Sequence, residues 1–245
     1  LRVIGQLELK EPQFPLDYRP TVLSLFKKGL SDYSGGEFFK EFYDGTAATK
    51  PLCFAVGFPH EIQFEKDRIL LPACNTHIQI TFSSGDVQTG IVMYNALCCR
   101  KGKNWPLPSG NTMTLTKLYM PPEKLVHNTS LIVKALSPIC VRVKEGEKEH
   151  YASVAQPDFE EKLREQLIRR FRGNHSITDE MLKTFHFLPL HMRKTVVLHY
   201  RQKIECSVGT ATISGSPELL YELYENGLGS RCSAGYGLLQ ILQQR

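Results

Sequence analysis

Hydrophobic positions along the chain repeat with two periods, near 2 and near 3.6, and each switch between them predicts a change from strand to helix or back. RVIGQLELK (2–10) is rich in Val, Ile and Leu and predicts a strand. In RPTVLSLFKKGL, Val22, Leu23, Leu25, Phe26 and Leu30 fall at helical spacing, and Pro20 suits a first turn. SGGEFFKEFYDGT (34–46) predicts a second helical stretch, set off by Gly35 and Gly36. PLCFAVGF (51–58) predicts a short buried strand, and 60–84 predicts strands around a turn. Asp86 is placed to cap a helix over VQTGIVMYNALCCR, and NTMTLTKLYM (111–120) predicts a strand with alternating threonines. Strand, helix, strands, helix, strand is the order of a ferredoxin-like unit.

The punctuation PPE at 121–123 ends that series, and the same order then restarts. TSLIVKALSPICVRVK (129–144) predicts one strand. PDFEEKLREQLIRRF (157–171) predicts a helix whose Phe159, Leu163, Leu167, Ile168 and Phe171 share a face. KTVVLHYRQKIECSVGTATISG (194–215) predicts a hairpin. Ser216 is placed to cap PELLYELYENG, with Pro217 first and Gly227 past the end, and YGLLQILQQ predicts a last strand. The expected fold is therefore α+β, with tandem ferredoxin-like (RRM-like) domains over 1–122 and 123–245 that share no obvious sequence repeat.

Composition narrows the function. With 42% hydrophobic and 22% charged residues the 245-residue chain is globular, and its net charge of +5 permits an anionic partner without demanding one. The seven cysteines are odd in number, contain no C-x-x-C pair and lie mostly in apolar runs, which predicts reduced, buried thiols in a cytoplasmic protein. No histidine spacing suggests a metal, so no metal or cofactor is expected. No apolar run approaches the ~20 residues of a membrane span, and no secretory leader is legible.

GLGSRCSAGYG (227–237) concentrates four glycines just before the last apolar run. Gly227-Leu228-Gly229 opens a G-x-G, but the loop leaves a helix and enters a strand, the reverse of a dinucleotide fingerprint, and Cys232 occupies the third glycine's place. A P-loop is excluded for want of Gly-Lys-Ser/Thr. Glycines still let backbone N–H groups turn inward and let another backbone approach closely, and Ser230 and Arg231 add donors. A plain helix-to-strand connector would need only one glycine, at the helix end.

Gly227 through Ser233 and then Gly235-Tyr236-Gly237 resemble the C-terminal glycine-rich signature of the CRISPR-associated repeat-cleaving endoribonucleases, of the repeat-associated mysterious protein superfamily. GSPELLYELYENGLGSRCSAGYGLLQI resembles that family's final helix, loop and strand as one block. ALSPICVRV (135–143) resembles the strand opening its second domain, and FPLDYRPTVLSLFKK the start of its first helix. The resemblance implies tandem ferredoxin-like domains that bind CRISPR repeat RNA. It implies metal-independent cleavage of the precursor, in which the ribose 2′-hydroxyl attacks the adjacent phosphorus to leave a 2′,3′-cyclic phosphate and a 5′-hydroxyl. It also supplies candidate partners beyond the RNA: further subunits of a CRISPR effector complex and a second copy of the chain.

Such a reaction needs a base for the 2′-hydroxyl, a cation or donor for the phosphorane and an acid for the 5′ oxygen. The family usually places a histidine near the end of the first helical region. This chain has none before His60, and Tyr43 falls in the histidine's place. Tyr43 is thus read two ways, as a proton or hydrogen-bond donor and as a core aromatic in line with Phe39. Lys50, at the entrance to the following strand, is the candidate phosphorane stabiliser, and Tyr33 a further catalytic candidate. His60 is the alternative catalytic group, as its residue type suits acid–base work. For RNA binding the candidates are the loop residues Gly227, Gly229, Ser230, Arg231, Gly235 and Gly237, and the hairpin's Arg193, Lys194, Arg201 and Lys203. The helix cations Lys162, Arg164, Arg169, Arg170 and Arg172 are a second basic group, but interleaved Glu160, Glu161 and Glu165 favour a solvated face. Two functions remain: an endoribonuclease, or a repeat-RNA binder of the same fold that has lost catalysis.

Overall fold

The computed structural model describes residues 1–43, 50–146 and 148–245. The chain forms two compact units, the first from Leu1–Pro122 with Leu198–Gln202, the second from Glu123–Val197 with Lys203–Arg245.

The first unit begins with β1 (Arg2–Leu9), β2 (Gln13–Pro15), α1 (Tyr18–Asp32), a 3-10 turn (Ser34–Gly36) and α2 (Glu37–Phe42). It continues with β3 (Cys53–Gly57), β4 (Gln63–Phe64), β5 (Arg68–Leu70), β6 (His77–Ser83), α3 (Val87–Cys98), β7 (Asn104–Pro106) and β8 (Thr112–Tyr119). The main sheet runs β3-β6-β1-β8-β7, and its members pair antiparallel. Without the short edge strand β7 this is the ferredoxin-like order, with β1 and β6 central. Val3, Leu7 and Leu9 alternate inward on β1 and pack with Ile80 and Phe82 of β6 against Val22, Leu25 and Phe26 of α1 and Met93 and Ala96 of α3. The Asp86 carboxylate accepts from Thr89 N at 2.8 Å, as expected of the cap, and hydrogen bonds from the Thr89 side chain first, and then from its N–H, hold the carboxyl below its ordinary range.

This unit departs from the sequence reading in two places. Of the strands read in 60–84, only β6 joins the main sheet; β4 and β5 form a separate three-stranded sheet with β2. Phe64 is 70% exposed, so β4 has no apolar face to offer the core. The second helical stretch is a 3-10 turn followed by one short helix, because Gly35 and Gly36 both take positive φ (64° and 82°) and stop α1's path. Residues 44–46 of that reading lie outside the described residues.

The second unit comprises β9 (Ser130–Ala135), β10 (Val141–Glu145), β11 (Lys148–Ala152), α4 (Phe159–Phe171), α5 (Asp179–Lys183), β12 (His186–His199), β13 (Gln202–Ser214), α6 (Pro217–Asn226), a 3-10 turn (Cys232–Ala234) and β14 (Leu239–Gln244). Its sheet runs β12-β13-β9-β14, again the ferredoxin-like order, with α4 and α6 as the two crossover helices. Ser216 Oγ accepts from Leu219 N at 3.3 Å, Pro217 opens α6 and Gly227 closes it at φ 85°. Leu220 and Leu223 of α6 are fully buried, and each contributes about 1.5–3 kcal/mol of apolar burial.

The single strand read over 129–144 is two. Ser137 and Pro138 break it, so β9 stays in the sheet while β10 pairs only with β11. The hairpin strand β12 starts at His186, well before the Lys194 read from sequence, since an edge strand that carries Pro189 has no clean alternation to reveal it.

Candidate functional site

Tyr43 closes α2, its N–H bonded to Phe39 O at 2.9 Å, and its half-buried ring packs against Phe39 at 5.4 Å. Lys50 Nζ lies 4.7 Å from the centroid of that ring, so the structure brings two of the three catalytic candidates together. Lys27 Nζ of α1 lies at the same 4.7 Å. The sequence reading missed Lys27. Its signal is weak but present: in α1 it falls next to the buried Phe26, where the helix turns toward its end. Two ammoniums therefore flank one phenol, each held by the ring's negative face. Burial above all pushes the Tyr43 phenol above its ordinary range, so it keeps its proton at neutral pH. The arrangement can donate a hydrogen bond and stabilise an anion; it cannot supply a base through Tyr43.

Tyr33 has other neighbours. Its hydroxyl accepts from Asn95 Nδ2 at 3.2 Å and its ring stacks on Phe38 at 5.6 Å and 15°. His60 is exposed in the turn after β3.

In the second unit the glycine-rich loop turns inward. Gly227, Gly229, Gly235 and Gly237 are all buried and all take positive φ. The loop packs on the Ser137–Cys140 turn that splits β9 from β10. Ser230 N donates to Cys140 O at 2.6 Å, Gly237 N to Pro138 O at 2.9 Å, and Leu238 N to Ser137 Oγ at 2.9 Å. Leu228 N donates to Gly237 O at 2.9 Å, which closes the loop on itself. A Cβ on Gly229 would come to 2.5 Å from Cys140 O, and one on Gly237 would overlap Leu228 O. The sequence reading placed these glycines against RNA; in the structure, close approach of the chain to itself accounts for Gly229 and Gly237. The loop leaves Ser230 and Arg231 partly exposed. Ser230 Oγ accepts from Arg142 N at 3.1 Å. Arg231 donates to the Tyr151 hydroxyl from Nη2 at 2.6 Å and from Nε at 3.1 Å, which aims its guanidinium along the β10–β11 hairpin.

The basic residues divide. Arg193, Lys194 and Lys203 are exposed on the long hairpin, and Lys194 faces Glu205 at 3.4 Å. Arg201 shares the hairpin turn with Tyr200, and both take positive φ, 64° and 47°. The arginines of α4 are engaged within the unit. Arg164 donates to Phe185 O, and Arg169 to Arg142 O. Arg170, 10% exposed, donates to Gly227 O at 2.5 Å and to Asn226 O at 3.2 Å. It is a cation at the C-terminus of α6, where it satisfies carbonyls the helix leaves unpaired. Arg170→Met should therefore lower stability by about 2–3 kcal/mol, the scale of hydrogen bonds from a charged donor. Denaturant unfolding measures this, and an unchanged midpoint would remove the cap.

Among the described residues no cluster of three His, Cys, Asp or Glu could hold a metal, and no helix is long and apolar enough to cross a membrane.

Comparison with known proteins agrees with the topology. The family described as CRISPR associated protein Cas6, C-terminal, matches residues 120–241. No curated protein matches the chain in sequence. Among solved structures, a Cas6-related gene product from Pyrococcus furiosus superposes with a TM-score of 0.84 at 17% identity, covering 100% of this chain and 99% of that one. A RAMP protein described as binding different RNA substrates gives 0.82 at 18% identity, with 99% of each chain covered. A Cas6 product complex gives 0.71 at 16% identity, with 98% and 99% covered. The class is thus two ferredoxin-like units in tandem, built as in these Cas6 and RAMP structures. Through the match over 120–241, the chain belongs to the Cas6 family of CRISPR-associated, RNA-processing proteins.

Proposed function

We propose that the chain binds CRISPR repeat RNA and cuts it without a metal, by attack of a ribose 2′-hydroxyl on the adjacent phosphorus. The observation that carries this reading is Tyr43 flanked by Lys27 and Lys50. The attacking 2′-hydroxyl gives its proton to solvent water as its O–P bond forms, the lysines stabilise the phosphorane, and the protonated phenol donates to the 5′ oxygen as that P–O bond breaks. Repeat RNA as partner is supported by the Cas6 family match and by the RNA-binding RAMP protein of the same fold. Subunits of an effector complex and a second copy of the chain belong to the same proposal through the family resemblance. End-labelled repeat RNA incubated with the chain in EDTA tests it. Product carrying a 2′,3′-cyclic phosphate is expected, and a 2′-deoxy substitution at the cut site should abolish it.

A second reading is favoured by the raised Tyr43 phenol, which leaves the histidine's place without a base. On that reading the chain holds the repeat without cutting it, and the same assay returns a stable complex with intact RNA.

Both readings share the RNA contacts. Arg193, Lys194, Arg201, Lys203 and Arg231 meet phosphates, while the buried glycines act by shaping the loop that carries Ser230 and Arg231. Affinity should fall with salt at a log–log slope of about −0.7 per contacted phosphate. A flat response would take the basic hairpin out of the site. Arg201 adds a sharper test, because a non-glycine residue at φ 64° is strained. Arg201→Gly should raise stability by about 1 kcal/mol while weakening RNA binding. A variant that gains stability and binds RNA as tightly as the native chain would show that Arg201 serves only the turn.

A further inference from the structure

Cys140 and Cys206 stand opposite each other beside the antiparallel bridge between Ile139 and Ser207. Ile139 N donates to Ser207 O at 2.8 Å and Ser207 N to Ile139 O at 2.9 Å, so that pair exchanges both bonds. The adjoining pair, Cys140 and Cys206, therefore occupies the non-hydrogen-bonded position. There Cα atoms approach to about 4.5 Å and side chains lie closest. A disulfide needs about 4.4–6.8 Å between Cα atoms, so no backbone shift is required. Both thiols are fully buried and free, and they share one small cluster with Ile204 and Tyr236.

We propose that Cys140 and Cys206 form a cross-strand disulfide site, closed by a small-molecule disulfide such as oxidised glutathione. One cysteine thiolate attacks a sulfur of the oxidant, whose S–S bond breaks and releases one thiol. The second cysteine attacks the mixed disulfide and releases the other. Two cysteines are oxidised, the oxidant is reduced to two thiols, and the cysteines' two protons end on the released sulfurs.

The bond would act on the glycine-rich loop. Cys140 supplies the carbonyl that receives Ser230 N, and Gly229 lies against the same carbonyl. Linking Cys140 to β13 fixes that seat to the sheet. Cys232 is buried nearby, but its thiol donates to Gly229 O at 3.5 Å, whereas the thiol of Cys140 shares a hydrogen bond with Cys206. That hydrogen bond, and burial after it, hold the Cys140 thiol well above its ordinary range. Both thiols are fully buried, so an external disulfide reaches them only when the site opens locally; closure should be slow, and faster at higher pH because the thiolate is the attacking form.

The test incubates the intact chain with oxidised or reduced glutathione at pH 7 to 9 and maps peptides without reduction. The expected result is a Cys140–Cys206 peptide only after oxidation, with a Tm rise of about 5–15 °C that dithiothreitol reverses. Cys206→Ala should show neither the link nor the rise. A Cys140–Cys232 link would overturn the proposal, as would exposed Cys74 and Cys98 reacting while Cys140 and Cys206 stay reduced at pH 9.

Discussion

Lys50→Ala should slow cleavage of repeat RNA by about 10²-fold or more, the scale for losing one donor or cation aimed at charge that develops in a transition state. Lys27→Ala should cost a comparable factor, because its ammonium lies as close to the Tyr43 ring. The double variant should fall short of the product of the two, since both cations serve one anion. Repeat affinity should change little in either, as stabilisation confined to the transition state leaves ground-state binding alone. Tyr43→Phe keeps the ring that both lysines sit against and removes only the donor, so it isolates the proton; a loss of about 10²-fold is expected. The pH profile carries the sign. The phenol's pKa is raised, so Tyr43 stays protonated from pH 5 to 9 and adds no inflection there. An inflection near neutral pH that disappears in Tyr43→Phe would contradict the assignment. Native rates in Tyr43→Phe with activity lost in His60→Ala would move the site to the histidine.

The second large effect is on the fold. Gly237→Val should destabilise the second unit by about 3–5 kcal/mol and lower its Tm by about 12–20 °C. A β-branched residue at φ 71° is strained, and its Cβ would also overlap the Leu228 carbonyl. Gly229→Val should behave similarly, since its Cβ would lie 2.5 Å from Cys140 O. Gly173 is the control: φ is also positive, at 78°, but no atom lies within 4 Å of an added Cβ. Gly173→Ala should cost only about 1 kcal/mol. Thermal unfolding followed by circular dichroism separates the cases. If Gly237→Val melts with the native chain, the loop does not close on itself between Gly237 and the Leu228 carbonyl. RNA binding should fall in Gly237→Val and Gly229→Val together with stability, because both glycines hold the loop that carries Ser230 and Arg231.

What the sequence by itself determined is what depends on neighbours in the chain. Periodicity located both pairs of crossover helices, since one turn of α4 or α6 already shows which side is apolar. Asp86, Ser216 and Gly227 marked helix ends because caps act within three residues. The glycine-rich block identified the family for the same reason, as a run of unusual backbone needs is written in consecutive residues. What only the tertiary structure decided depends on partners far away along the chain. The pairing of β4 and β5 with β2, the break of 129–144 into two strands and the inward turn of the glycines each rest on a segment tens of residues distant. Lys27 reaches Tyr43 because α1 and the end of α2 pack together, and no local pattern records that meeting. Arg170 looks like any solvated arginine of α4 until its guanidinium is found on the carbonyls that end α6. Local order is set by short-range backbone sterics and hydrogen bonds. A site is set by which faces bury together, and in this chain that brought two lysines to one phenol.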